Sequence, residues 1–178
     1  MDGTLTLSRS DPGPLTAEEL CRTYGAAVCR FAALMTPSPQ DAEDLAQEAL
    51  LRAVRSVGSY DPSRAPLESW LWRIVANAAT DAAGARRRLH DLAVRIGLGA
   101  PRESESVEDL VLTRLRDAEL HASLLRLPMR DRTLLALRFG LDLDLEHVGA
   151  AVGLSADSAG KAVRRALARL RAQLEEMT

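Results

Sequence analysis

The sequence predicts an all-α protein built as two small helical domains joined by a flexible linker. Aromatic residues make up only 3% of the chain, and Ala and Leu fill the apolar positions, which favours helices over strands. Apolar residues recur every three or four positions through most of residues 16–92 and 112–176. Between them the composition shifts. Gly97, Gly99 and Pro101 lead into Glu103, Glu105, Glu108 and Asp109 with serines between, which reads as a linker, acidic in its second half. The expected organisation is a loose tail at 1–15, a first domain at 16–92, the linker at 93–111 and a second domain at 112–178.

Bulk properties narrow the function. Hydrophobic residues are 47% of the 178, enough for real cores. The net charge is −2 and the isoelectric point about 6.0, so any nucleic-acid surface must be local and offset by acid elsewhere. Cys21 and Cys29 match no zinc spacing and no disulfide framework, and are expected to be small core hydrophobes. His90, His121 and His147 are scattered without metal-ligand spacing, so neither a metal nor another cofactor is expected. Met1 to Pro14 holds no basic segment followed by an apolar run, and no stretch approaches a membrane span. The expectation is a soluble cytoplasmic protein without membrane insertion.

The first domain opens on Thr16-Ala-Glu-Glu19, a capping box, after which Leu20, Tyr24, Ala27, Val28, Phe31 and Leu34 keep helical period. Thr36-Pro-Ser-Pro39 breaks that helix. Ser38 caps the next, with Pro39 at its first position. In this second helix Ala42, Leu45, Ala46, Ala49 and Ala53 form one face. Asp41, Asp44 and Glu48, with Gln47 nearby, form another. Such an acidic row is either a solvated face or a docking surface for a basic partner. Gly58 to Arg64 is a loop by composition.

The stretch from Ala65 to Arg88 is the most informative. Pro66 suits the start of a helix and Gly84 its end. Leu71, Ile74, Val75, Ala78 and Ala82 form an apolar stripe, while Trp70, Arg73, Asn77 and Asp81 form a second row, followed at once by Arg86, Arg87 and Arg88. Aromatics stack on unpaired bases, Arg holds phosphates and Asn reads base edges, so the row suits an opened nucleic-acid strand. The plainer alternative packs Trp70 and Trp72 in the core and leaves the three arginines as a solvated helix end.

In the second domain a helix begins near Val107, with Leu110, Leu115, Leu120, Leu124 and Leu127 on one face, and Pro128 ends it. Arg130 to Phe139 is helical, with Leu134, Leu135 and Leu137 apolar, and Gly140 breaks it. Leu145 to Ser155 then gives a short helix and a tight turn. Gly149 is the small residue at a close helix crossing and Gly153 supplies the turn. A longer helix follows from Ala156, capped by Ser155, to about Glu176, with Val163, Leu167, Leu170 and Leu174 facing the core. This is the helix-turn-helix pattern. Lys161, Arg164, Arg165, Arg169 and Arg171 suit phosphates and the major groove. The alternative is a three-helix bundle with a basic solvated face.

Taken together, the residues resemble a sigma-70 family transcription initiation factor of the compact extracytoplasmic-function (ECF) type. The resemblance covers roughly residues 16–92 and 112–176. Tyr24-Gly25, Asp41-Ala-Glu-Asp-Leu45 and Gln47-Glu48 are similar to that family's polymerase-docking region. Trp70-Leu71, Arg73-Ile74, Asn77 and Asp81 are similar to its promoter-melting helix. Leu127-Pro128, Gly153 and Arg165-Ala-Leu-Ala-Arg-Leu170 are similar to its second DNA-reading domain. The resemblance implies sigma region 2 in the first domain, a sigma region 4 helix-turn-helix in the second, and a non-enzymatic role.

Core RNA polymerase would bind through Asp41, Asp44, Gln47 and Glu48. Opened promoter DNA would lie on Tyr60, Arg64, Trp70, Arg73, Asn77, Arg86, Arg87 and Arg88. Upstream duplex would be read by Ser155, Ser158, Lys161, Arg164, Arg165 and Arg169. The acidic linker would follow the path of nascent RNA, and an anti-sigma factor is implied as a further partner.

Departures from the family pattern suggest thinned reading surfaces. Ala159-Gly160 and Ala162 stand where branched or basic residues are usual, Ala76, Gly84 and Ala85 of the first domain stand where basic residues are frequent, and Asp142 and Asp144 would repel phosphate. The expectation is that Gly160→Arg strengthens duplex binding. Two alternatives remain: a degenerate sigma-like adaptor that binds polymerase or a regulator without reading promoters, and a small helical enzyme. For the enzyme there is no nucleophile beside a base, no metal cluster and no phosphate-cradling loop.

Overall fold

The computed structural model describes residues 16–96 and 113–176. They form helices α1 (Ala17–Met35), α2 (Pro39–Ser56), α3 (Leu67–Arg95), α4 (Thr113–Arg126), α5 (Met129–Leu135), α6 (Leu145–Val152) and α7 (Ala156–Glu175), with no strand among the described residues. The tail, the linker beyond Ile96 and the helix start expected near Val107 lie outside the described residues.

Local signals set most of the boundaries. Thr16 and Glu19 close a full capping box, with the Glu19 amide donating to Thr16 Oγ1 at 3.2 Å. Ser38 accepts from the Asp41 amide at 3.1 Å, with Pro39 opening α2. Gly153 takes φ 72°, a left-handed conformation open to glycine, and so ends α6. A Cβ on Gly149 would lie 2.6 Å from the Leu154 carbonyl, so the helix-turn-helix can close only over a residue without a side chain.

Several expectations are corrected. Gly84 does not end α3, which runs on to Arg95. One helical glycine costs only about 1 kcal/mol, and the Ala, Arg and Leu that follow are good helix formers. Cys21 and Cys29 are exposed, not core, because the buried face of α1 runs through Leu20, Val28, Phe31 and Met35. Leu120 is exposed although Leu124 and Leu127 are buried. The helix expected to Phe139 widens into a π turn over Ala136–Gly140, marked by the Leu141 amide donating to the Ala136 carbonyl at 3.1 Å.

Helices α1, α2 and α3 pack into one body around Leu20, Val28, Phe31, Leu45, Leu71, Trp72 and Val75. Helices α4 to α7 pack around Leu124, Leu134, Leu137, Val148, Val163 and Leu170. The bodies also touch: α6 lies against α3, and the turn after α5 lies against α1. At the second contact a Cβ on Gly140 would collide with the Leu34 side chain. None of the described helices is long and apolar enough to cross a membrane.

Candidate nucleic-acid interface

The first surface is the N-terminal half of α3 with the loop before it. Trp72 is buried and tilted against Phe31, with centroids 6.2 Å apart, so it belongs to the core. Trp70, half-buried, faces Tyr60 with centroids at 5.2 Å and planes at 50°. Tyr60 is fixed in turn: its hydroxyl donates to the Ala65 carbonyl at 3.2 Å. Burial and the charge of Asp61 push the Tyr60 phenol upward. Asp61, held down by hydrogen bonds from Ser63, folds the loop on itself and leaves Arg64 exposed. Arg73 and Asn77 are exposed one turn apart. Arg73 Nε donates to the Ala150 carbonyl of α6 at 3.3 Å.

The arginines after Asn77 divide. Arg87 and Arg88 are exposed and Arg86 is half-buried; Arg86 and Arg88 line a groove of about 600 Å³ between α2 and α3, with Asp41, Asp44, Glu48, Arg52 and Asp81. Arg86 lies 3.5 Å from Asp41. Arg52 bridges Glu48 at 2.7 Å and Asp81 at 2.6 Å. Its pKa is raised by hydrogen bonds to Asp81 and then Glu48. Asp81 therefore faces α2 rather than extending the Trp70 row, and two of the four expected docking residues are partly neutralised. Asp44 and Gln47 remain exposed on this face. Arg52 was missed from sequence, although its spacing four after Glu48 is a readable ion-pair signal.

The third surface is α7. Ser155 caps it, accepting from the Ser158 amide at 3.2 Å, and donates its hydroxyl to Ser158 at 3.0 Å. Both serines therefore serve the cap. Lys161, Arg164 and Arg165 are exposed and, with Ala168, line an open cleft of about 420 Å³. Lys161 pairs with Asp157 at 2.8 Å on the surface, a weak link that a phosphate can displace. Arg169 is different, because it bonds Asp131, a buried carboxylate on α5.

This separation gives a test. Arg165→Ala is expected to lower the slope of log K against log salt for duplex binding by about 1. Arg169→Ala should leave the slope unchanged and instead cost about 1–3 kcal/mol in a urea melt, because it strands Asp131.

The departures noted from sequence have structural causes. Ala159, Gly160 and Ala162 are all buried, so side chains there face α6 and the core rather than DNA. Asp142 takes φ 54°, a left-handed conformation that Asp tolerates better than most residues, and lies 3.4 Å from Arg138. Asp144 caps α6 through the His147 amide at 2.8 Å, and that bond is the main cause of its lowered pKa. Both aspartates shape the turn into α6.

The described residues are all-helical and include a helix-turn-helix with a basic second helix, the architecture of the helix-turn-helix class. Comparison with known proteins narrows the class. Residues 20–89 match the model of Sigma-70 region 2. The chain is 33% identical over 166 residues to the RNA polymerase sigma-E factor of Streptomyces avermitilis, covering 90% of this chain and 86% of that protein. It is 31% identical over 155 residues to the ECF RNA polymerase sigma factor SigE of Mycolicibacterium smegmatis, covering 86% of this chain but only 60% of that one. The fold is similar to the sigma factor RpoE of Bartonella quintana, solved with the anti-sigma factor NepR, at a TM-score of 0.70, 22% identity, and 89% and 96% coverage. The chain belongs to the sigma-70 family of RNA polymerase sigma factors, in its ECF branch.

Proposed function

We propose that this chain binds core RNA polymerase and directs promoter recognition and opening at transcription initiation. In this reading the first body spans 16–92 and docks through the acidic face of α2. Tyr60, Arg64, Trp70, Arg73, Asn77 and Arg87 receive the opened strand, and α7 enters the major groove through Lys161, Arg164 and Arg165. It works in the cytoplasm, catalyses no step of its own, and is held in check by an anti-sigma factor.

The observation that carries the reading is the division of charge. Asp44 and Gln47 are exposed on α2, while Lys161, Arg164 and Arg165 are exposed on α7 beyond its Ser155 cap, Lys161 alone carrying a surface ion pair, to Asp157. The adaptor alternative rested on thinned reading residues, and it loses the α7 part of that support because Gly160 and Ala162 are buried, whereas Ala85 on α3 is exposed.

Run-off transcription with core polymerase on genomic fragments tests the reading. New, reproducible start sites are expected. A chain that assembles with core enzyme yet starts no transcript is the adaptor. Asp44→Arg should weaken core binding by about tenfold or more, since it sets a like charge against a basic partner. Asn77 is exposed, so Asn77→Ala should change stability by no more than about 0.5 kcal/mol. It should nevertheless reduce the permanganate reactivity of melted promoter thymines while leaving core binding intact.

A further inference from the structure

The reading helix opens on an acid. Ser155 caps α7, and Asp157 lies in its first turn. A carboxylate there suits the positive end of the helix, which accounts for its presence but not for its direction. Positions 157, 161, 164 and 168 share one face of a helix, and Lys161, Arg164 and Ala168 of that face line the open cleft of about 420 Å³. Asp157 therefore stands at the N-terminal end of the cationic row, on the side away from the buried Ala159, Val163 and Ala166. Its Oδ2 lies 2.8 Å from Lys161 Nζ, and the two side chains are 75% and 61% exposed, so the pair is formed yet open to a ligand.

Position on the helix decides what this pair can touch. In helix-turn-helix docking the N-terminal residues of the second helix reach base edges. An ionised carboxylate only accepts, so phosphate oxygens, guanine O6 and N7, and thymine O4 all repel it. The major groove offers it two donors, the amino groups of cytosine and of adenine. Adenine N6 stands beside N7, an acceptor of the same base, whereas cytosine N4 has no acceptor beside it on its own base edge. An ammonium has the converse need, and guanine, the pairing partner of cytosine, presents O6 and N7. A carboxylate and an ammonium side by side are thus the chemical complement of a C·G pair.

We propose that Asp157 is a specificity-determining residue, which reads a C·G base pair of the upstream duplex together with Lys161. The carboxylate accepts from cytosine N4 while the Lys161 ammonium donates to the guanine. The inference rests on the promoter-reading role of α7 proposed above. It makes the helix selective and lowers its general affinity, because the repulsion from phosphate is offset only where a cytosine meets the carboxylate.

The test presents a randomised duplex library to the full chain assembled with core polymerase, and counts retained sequences against the input. The parent should favour one C·G pair. Asp157→Ala should lower that preference about tenfold, the scale of one base-edge contact, and leave the other positions as they were. Asp157→Asn should move the preference at the same position toward A·T, because an amide pairs with adenine N6 and N7. Lys161→Met should weaken this position rather than a neighbouring one. Asp157 is exposed, so its variants should melt as the parent does, and asparagine keeps the shape of the side chain if alanine frays the first turn.

A profile unchanged by both Asp157 variants overturns the proposal and leaves the carboxylate a helix-end charge. So does a gain in retention spread evenly over all sequences, the mark of a group that only repels phosphate. If the parent assembles with core polymerase yet retains no preferred sequence, promoter reading by α7 is what fails, and the assignment of Asp157 falls with it.

Discussion

Replacing Trp72 with alanine should remove about 3–5 kcal/mol of unfolding free energy, a large share of the 5–15 kcal/mol that holds a typical domain together. Trp72 is 2% exposed and packs on Phe31 at the centre of the α1–α3 body, so truncation leaves a cavity that neighbouring helices cannot fill. Trp70, two positions earlier, should behave differently. It is half-buried against Tyr60, and loss of that ring pair costs about 0.5–1.5 kcal/mol beyond the smaller area it covers. Trp70→Ala should therefore remain folded at 25 °C and keep binding core polymerase, yet open promoters poorly. Urea melts followed by circular dichroism, beside permanganate footprinting, separate the two. Equal losses of stability would place both rings in the core and remove Trp70 from the strand surface.

What was legible in the sequence was local. Thr16 with Glu19, Ser38 with Pro39, and Ser155 each announce a helix start within four residues, and all three caps form. The division of α3 into an apolar stripe and a Trp70–Arg73–Asn77 row follows from helical period, and the exposures of Arg73 and Asn77 agree with it. The misplaced cysteines were avoidable, because Cys21 and Cys29 each sit one position beyond the buried face of α1. Other features leave no local trace. Arg132 reaches Met35 across 97 residues, and Arg73 reaches Ala150 across 77. Neither pairing follows from spacing, since it depends on how one body lies on the other. The resemblance supplied the family but not this contact, and it led α7 astray by treating Gly160 as a missing DNA contact rather than as a crossing point.

Gly160 is therefore the sharpest place to test structure against motif. Comparison with the family pattern alone expects Gly160→Arg to add a phosphate contact and tighten duplex binding. The geometry expects the reverse. A Cβ at Gly160 meets Leu145 Cδ1 at 3.2 Å, a contact that a small rotation of the leucine relieves. Gly160→Ala should accordingly be close to neutral, since relief of the helical glycine offsets that rotation. An arginine cannot be accommodated in this way. Its stem must displace Leu145, the first residue of α6, and it brings a second guanidinium beside that of Arg164, whose Nη1 lies 4.0 Å from a Cβ at this position. The expected cost is about 2–4 kcal/mol, with the α6–α7 angle disturbed and duplex affinity reduced. Urea melts and a salt titration of duplex binding on glycine, alanine and arginine at this position decide the matter. The burial of Gly160 predicts stable, stable, unstable. Tighter binding by a fully stable arginine variant would instead mean that position 160 faces the groove.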